Sequence, residues 1–140
     1  MNLFISYDYN DAEKVAGFMG MLANPDIKGI QHRDTSVKHD YTAGGDAAIA
    51  RAIRAELARA DVTVCMVTKK TRKSEWVNWE LEQSRTLGLG VLAIALKDIQ
   101  VAAGDYHEFF TRYPKYHTYA WGTPEEMNKW INLARQYRAE

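Results

Sequence analysis

The chain has 140 residues, with 18 Lys or Arg balanced by 18 Asp or Glu, so its formal net charge is zero. That length suits one domain, spanning 1–140, with a full core, and is short for two. Balanced charge argues against nucleic-acid binding as the main business. Cys65 is the single cysteine. It has no partner for an internal disulfide, and its apolar run Val62–Val67 points to a buried strand thiol rather than a reactive one. No signal peptide or membrane-spanning run is evident, so a cytoplasmic protein without a membrane partner is expected.

Asn2–Ser6 is a short apolar run that reads as a buried strand and ends in polar Ser6-Tyr7-Asp8. A helix follows, with Asn10 as cap, Glu13 reaching back and an apolar face of Val15, Phe18 and Leu22. Asn24-Pro25 stops it. Gly29–Asp34 reads as a weak, edge-type strand. Thr35–Asp46 carries no apolar period, which marks a functional or mobile loop. Asp46 caps the next helix, Ala47–Ala60, whose Ile49, Ile53 and Leu57 point inward. Val62–Thr68 is β-branched and apolar without polar alternation, as expected of a central parallel strand covered on both faces. A basic loop, Thr68–Lys73, leads to a helix opening at Ser74 and closed by Gly88 and Gly90. Val91–Leu96 is a second fully buried strand. Lys97–Tyr116 is irregular, with a short helix at His107–Tyr113, and His117–Trp121 is a last short strand. Thr123-Pro124-Glu125-Glu126 has the residues of a capping box with Pro at the first helical position. Met127, Trp130, Ile131, Ala134 and Tyr137 follow as an apolar stripe.

Strands alternating with helices predict a parallel α/β sheet with right-handed crossovers. Five strands at this spacing suggest a flavodoxin-like three-layer sandwich of order 2-1-3-4-5. Ligands in such sheets bind beyond the carboxyl ends of the strands. Those ends are Ser6-Tyr7-Asp8, Arg33-Asp34 and Thr68-Lys69-Lys70.

The helix after the basic loop holds the most informative residue. On a 3.6-residue turn, Glu75, Asn78, Glu82 and Arg85 fall on one polar stripe. Trp76, Val77, Leu81, Ser84, Leu87 and Gly88 fall opposite, and Glu80 lies among them. A carboxylate turned toward a core is costly unless it is paired, hydrogen-bonded or open to a cleft. Position alone leaves a structural tie and a functional acid about equally supported.

Phe4-Ile5-Ser6-Tyr7, the following Asp11, and Trp76-Val77-Asn78-Trp79-Glu80-Leu81 together resemble the Toll/interleukin-1-receptor-like (TIR) family. They are most similar to its bacterial members, which include the cyclase component of Thoeris anti-phage systems. The resemblance runs from Asn2 to Leu96. It implies cleavage of NAD as substrate, with no separate cofactor, and a catalytic glutamate at Glu80. It also implies a nucleotide framed by Ser6, Tyr7 and Asp8 and by Arg33 and Asp34 through Asp46, beside Trp76. A cyclic ADP-ribose-type product and a site completed by self-association belong to the same implication. The loop after Arg33-Asp34 departs from that of animal signalling members.

Other readings stand beside it. A TIR-type adaptor without catalysis would use the same surfaces for assembly and tolerate loss of Glu80. A nucleoside deoxyribosyltransferase would also place a glutamate on a similar fold. A phospho-acceptor receiver needs an Asp at the end of the third strand, where this chain has Val67-Thr68-Lys69-Lys70. His32, His39, His107 and His117 lack metal-ligand spacing, so no metal is expected. Gly44-Gly45 ahead of a helix is a weak phosphate signal.

Overall fold

The computed structural model describes residues 2–8, 11–22, 33–34, 46–69, 71–97, 99–100 and 102–136. In chain order it holds β1 (Asn2–Ser6), α1 (Ala12–Leu22), β2 (Arg33–Asp34), α2 (Asp46–Leu57), β3 (Val62–Val67), α3 (Glu75–Thr86), β4 (Gly90–Ala95), α4 (Glu108–Arg112), β5 (Thr118–Tyr119) and α5 (Pro124–Gln136). Short 3-10 turns lie at Thr71–Lys73 and Ala103–Asp105. The strands run in the order β2-β1-β3-β4-β5, and every neighbouring pair is parallel. The α/β class and parallel sheet expected from the alternation of elements are present. β3 sits between β1 and β4, with all six residues buried.

Side chains alternate across the strands and sort the core into two layers. Leu3, Ile5, Val62, Val64, Met66, Leu92 and Ile94 face one way, where they meet Val15 and Phe18 of α1 and Met127, Ile131 and Ala134 of α5. Phe4, Cys65, Val67, Val91 and Ala93 belong to clusters on the other side. There they meet Ile49, Ile53 and Leu57 of α2, Val77 and Leu81 of α3, and Phe109 and Phe110 of α4. Coverage on both sides explains why β3 and β4 are apolar at consecutive positions rather than alternate ones.

The helix ends follow from local chemistry. Ser74 Oγ accepts from the Val77 N–H at 3.3 Å and caps α3. Gly88, with φ of 72°, turns the chain out of that helix in the left-handed region. Leu87 is 48% exposed, although helical phase assigns it to the inward stripe; it is the C-cap of α3, where the chain leaves the helical path. At α5 the capping box is complete. Glu126 N–H donates to Thr123 Oγ1 at 3.1 Å, and Thr123 N–H donates to Glu126 Oε1 at 3.0 Å. Two backbones meet where α5 crosses the start of β4. A Cβ placed on Gly90 would lie 2.4 Å from the Ala134 carbonyl oxygen, so only glycine fits there. The expected Asn10 cap, the Asn24-Pro25 stop, residues 29–32 of the second strand, residues 35–45 of the loop and Tyr137 lie outside the described residues.

Candidate active site

β1 ends at Ser6, and strand alternation turns its side chain toward the α3 side of the sheet. α3 begins beyond the carboxyl end of β3 and runs back along the sheet. Glu80, in its second turn, therefore comes down level with the end of β1. The two side chains meet there: Ser6 Oγ donates to Glu80 Oε1 at 2.9 Å. Ser6 is fully buried and Glu80 is 1% exposed. An ionised acceptor strengthens such a bond, and burial makes its loss expensive.

The pair stands at the head of a polar string inside an otherwise apolar layer. Ser84, one turn after Glu80, donates through Oγ to the Glu80 carbonyl oxygen at 2.7 Å. Its hydroxyl also lies 2.7 Å from Thr63 Oγ1 on β3. Thr63 thus engages Ser84 while Ser84 holds the α3 backbone at Glu80, which fixes the height of the carboxylate over the sheet. Cys65 pairs in register with Ser6. Burial pushes its thiol well above the ordinary value, and the charge of Glu80 raises it further. The thiol is therefore protonated and no nucleophile, in keeping with the sequence expectation.

The expected site residues divide. Ser6 and Glu80 are in direct contact. Trp76 lies one helical turn from Glu80, half-buried, with its ring edge-on to Trp79 at 5.5 Å between centroids. These two indoles, with Glu75, Ala47 and Ala50, line a cleft of about 390 Å³ between α2 and α3. Arg54 stacks over the Trp79 ring at 5.2 Å, so it is more than a solvated charge. Among the described residues, Glu80 itself does not line that cleft.

Tyr7 goes elsewhere. It is buried in the cluster shared with α1 and α5, on the opposite side of the sheet from Glu80. Adjacent residues in an extended chain point to opposite faces, so Ser6 and Tyr7 cannot both reach the same carboxylate. Asp8 is half-buried, and its carbonyl oxygen accepts from the Asp11 N–H at 2.8 Å. Arg33 and Asp34 pair with Asn2 and Leu3. That register leaves them about 10 Å short of the level of Ser6 along the strand direction, at about 3.3 Å per residue. Grouping them with Ser6 places them at its level, whereas their register is with the start of β1.

Other polar residues serve structure. Asp11 is buried and accepts from Thr68 Oγ1 at 2.7 Å. That bond ties the segment after β1 to the loop after β3, and the Thr68 N–H donates to Thr71 Oγ1 at 2.8 Å within that loop. The basic loop is also tied down. Lys69 pairs with Asp105, and Arg72 donates to the Gly104 carbonyl oxygen at 3.1 Å. The hydrogen bond from Lys69, helped by one from the Ala102 N–H, holds the Asp105 carboxyl below the usual range. Glu82, expected to face water, is half-buried and accepts from Arg112 at 2.8 Å and Arg85 at 3.4 Å. His107 caps α4, its Nδ1 accepting from the Phe109 N–H at 3.1 Å, and burial lowers its pKa. Among the described residues no group of three His, Cys, Asp or Glu could hold a metal ion, and no helix is long and apolar enough to cross a membrane.

Sequence reading missed Thr63, Ser84 and the Asp11–Thr68 clasp. Ser84 carried a signal, since it sits four residues after Glu80 on the same stripe. Thr63 carried less, because threonine is ordinary in a strand.

Comparison with known proteins bears on the same region. The family model of the Thoeris protein ThsB, TIR-like domain, matches residues 4–100. Those residues contain Ser6, the polar string and Glu80. No curated protein matches the chain. Among solved structures, the CMP N-glycosidase BcmB of Clostridium botulinum is similar, with a TM-score of 0.58 at 8% sequence identity, covering 95% of this chain and 98% of that one. At that identity the likeness is one of fold.

Proposed function

Since the chain belongs to the TIR-like family of the Thoeris protein ThsB, we propose that it cleaves the nicotinamide–ribose bond of NAD, with Glu80 as the catalytic carboxylate. One observation carries the reading. Glu80 is an acid buried in a core layer, held by a serine at the end of β1, beside the switch point of a parallel sheet where ligands bind. The similar solved structure is of a nucleotide N-glycosidase, which acts on the same class of bond.

The chemistry needs one well-placed anion. The C–N bond electrons leave with nicotinamide, which departs as a neutral ring, and the ribose gains oxocarbenium character. A fixed carboxylate beside the sugar stabilises that charge more in the transition state than in the ground state. Ser6 acts as a positioning residue: its hydroxyl holds Oε1, while Ser84 and Thr63 hold the backbone beneath. The nucleotide approaches along the α2–α3 cleft, where Trp76 and Trp79 supply aromatic surface. Where water is kept from the cation, a ring nitrogen of adenine attacks through its lone pair, the exocyclic amine then giving up a proton, or a ribose hydroxyl attacks and loses its own proton, and either closes a cyclic ADP-ribose-type product. We assign that product to anti-phage signalling. A second copy of the chain, in the cytoplasm, completes the site.

The test is incubation of the purified protein with NAD, and in parallel with CMP, followed by mass spectrometry of the products. Glu80→Gln preserves shape and removes charge. It should lower NAD turnover on the order of a hundred- to a thousandfold while the protein stays folded. Turnover that survives the substitution sinks the assignment of Glu80. The near-complete burial of Glu80 favours a second reading, a non-catalytic interaction module in which Ser6–Glu80 is a core tie. That reading predicts no turnover of either nucleotide in the unmodified protein, and clear destabilisation by Glu80→Gln.

A further inference from the structure

Across the sheet from Glu80, at the same carboxyl edge, lies a roomier cleft of about 520 Å³. Its walls are Lys14, Gly17 and Phe18 of α1, Lys97 just past β4, and Trp121 and Pro124 at the start of α5. We propose that this cleft is a second binding site, one that takes an aromatic anion of nucleoside-monophosphate size.

Charge is the first support. Lys14 and Lys97 are both exposed, and neither has an ion-pair or hydrogen-bond partner among the described residues. Four other surface cations are engaged, Lys69 by Asp105, Arg59 by Glu56, and Arg85 and Arg112 by Glu82; Arg51, Lys129 and Arg135 resemble Lys14 and Lys97 in lacking such a partner among the described residues, but none of the three lines this cleft. Two lysines lining one concavity focus a positive potential into it. The acids at the head of α5 do not cancel it. Neither Glu125 nor Glu126 lines this cleft, and Glu125 lines a different one along α5.

Shape is the second support. Phe18 is buried and meets Trp121 edge-on, with centroids 5.8 Å apart. The indole is half-buried, so it is braced from behind while part of it borders the cleft. A rigid aromatic wall under a pair of cations suits a planar ring carrying a phosphate. The volume falls within the range of small-molecule sites.

Gly17 is the third support. Glycine in a helix interior destabilises it relative to alanine. A Cβ at Gly17 would meet nothing within 4 Å, so no close packing requires glycine there. What a side chain at Gly17 would occupy is the cleft. Gly20, one turn on, has the same open surroundings but does not line the cleft, and so supplies a matched control.

The experiment is calorimetric titration of the full chain with AMP, with inorganic phosphate and adenosine as separate arms. AMP should bind saturably and more tightly than either fragment, and added salt should weaken it. Lys14→Ala/Lys97→Ala should weaken AMP at least about tenfold, equivalent to roughly 1.4 kcal/mol. Gly17→Leu should abolish binding with the thermal melt intact, and Gly20→Leu should leave it unchanged. Glu80→Gln should bind AMP like the parent protein, because its side chain lies on the other face. This arm separates the proposal from the NAD-cleavage reading, which can fail while the cleft still binds. Three results overturn the proposal: no saturation at about 1 mM AMP, phosphate alone binding as tightly as AMP, or AMP binding that ignores Gly17→Leu and the lysine variant but falls with Glu80→Gln.

Discussion

The two faces of the central sheet are built from the same strands and solve different problems. Toward α1 and α5, β1, β3 and β4 present Leu, Ile, Val and Met to the core. Toward α2, α3 and α4 they present Phe4, Ser6, Thr63, Cys65, Val67, Val91 and Ala93, and Thr63 and Ser6 carry the line of hydroxyls that ends on Glu80. Apolar packing alone would hold either layer. A buried carboxylate and three hydroxyls add desolvation cost that hydrogen bonds at best offset. The first face is therefore built for stability, and the second spends some of its stability on the fixed orientation of one acid.

The sharpest way to break this comparison is to damage the apolar face and look for an effect on the other. Ile94→Ala removes a fully buried side chain between β4 and the α1/α5 layer. It should cost about 2–5 kcal/mol in urea unfolding, with NAD turnover per folded molecule unchanged. Loss of turnover in the folded fraction would show that the faces are coupled.

Ser6→Ala should act in the reverse sense. It strips the hydroxyl donor from a buried carboxylate, a loss of about 1.5–3 kcal/mol for a hydrogen bond to a charged group. Turnover should fall more steeply than the melting temperature, and Ser6→Thr, which keeps a hydroxyl, should recover part of it. Equal recovery by Ser6→Val would refute a role for the hydroxyl.

A smaller effect is expected from acid. Burial lowers the pKa of His107 from its ordinary 6.5, and its neutral Nδ1 caps α4. Below 6.5 the unfolded chain binds the proton first, so the stability contributed by the neutral ring is present above that pH, declines below it and is lost as pH falls through the lower folded value. Hydrogen exchange in α4 should quicken between neutral and mildly acidic pH, and His107→Asn, which can cap without titrating, should flatten that dependence. An unchanged profile in the variant would dismiss the histidine as its cause.

Smallest of all is the exposed side of α3. Glu82→Gln loosens the partly exposed pairs with Arg112 and Arg85 and should cost at most about 1 kcal/mol. Glu75→Gln, at an exposed position, should fall within about 0.5 kcal/mol of the parent. Neither should alter turnover per folded molecule, and a turnover defect in either would blur the distinction between Glu80 and its neighbours.

Much of the scaffold was legible because it is written in short-range chemistry. The unbroken apolar runs of β3 and β4 and the Thr123–Glu126 box each depend on residues a few positions apart. The inward phase of Glu80 was legible for the same reason. Its partner was readable only as a member of a cluster, because Ser6 lies 74 residues away and the contact depends on the height at which α3 passes β1. Tyr7 turns to the other face and Arg33 and Asp34 pair with Asn2 and Leu3, and both placements depend on two things the sequence does not carry: which way the chain faces just past the end of β1, and the register of β2 against β1. Glu82 was misjudged because Arg112 comes 30 residues later, on another helix.

The contact at Gly90 bears on motion. Because the Ala134 carbonyl rests on a position with no side chain, α5 is keyed to β4 backbone against backbone, and sliding along the strand would drive that carbonyl toward the bulk of Leu92, the next residue on the same face. A shear of the α1/α5 layer is thereby locked out at its amino end. Under the proposed cleavage, the breathing that brings a sugar to an acid with 1% exposure is expected in the opposite layer, where the described cluster is one of side chains. The glycine works as a mechanical stop: it directs which half of the sandwich is free to yield.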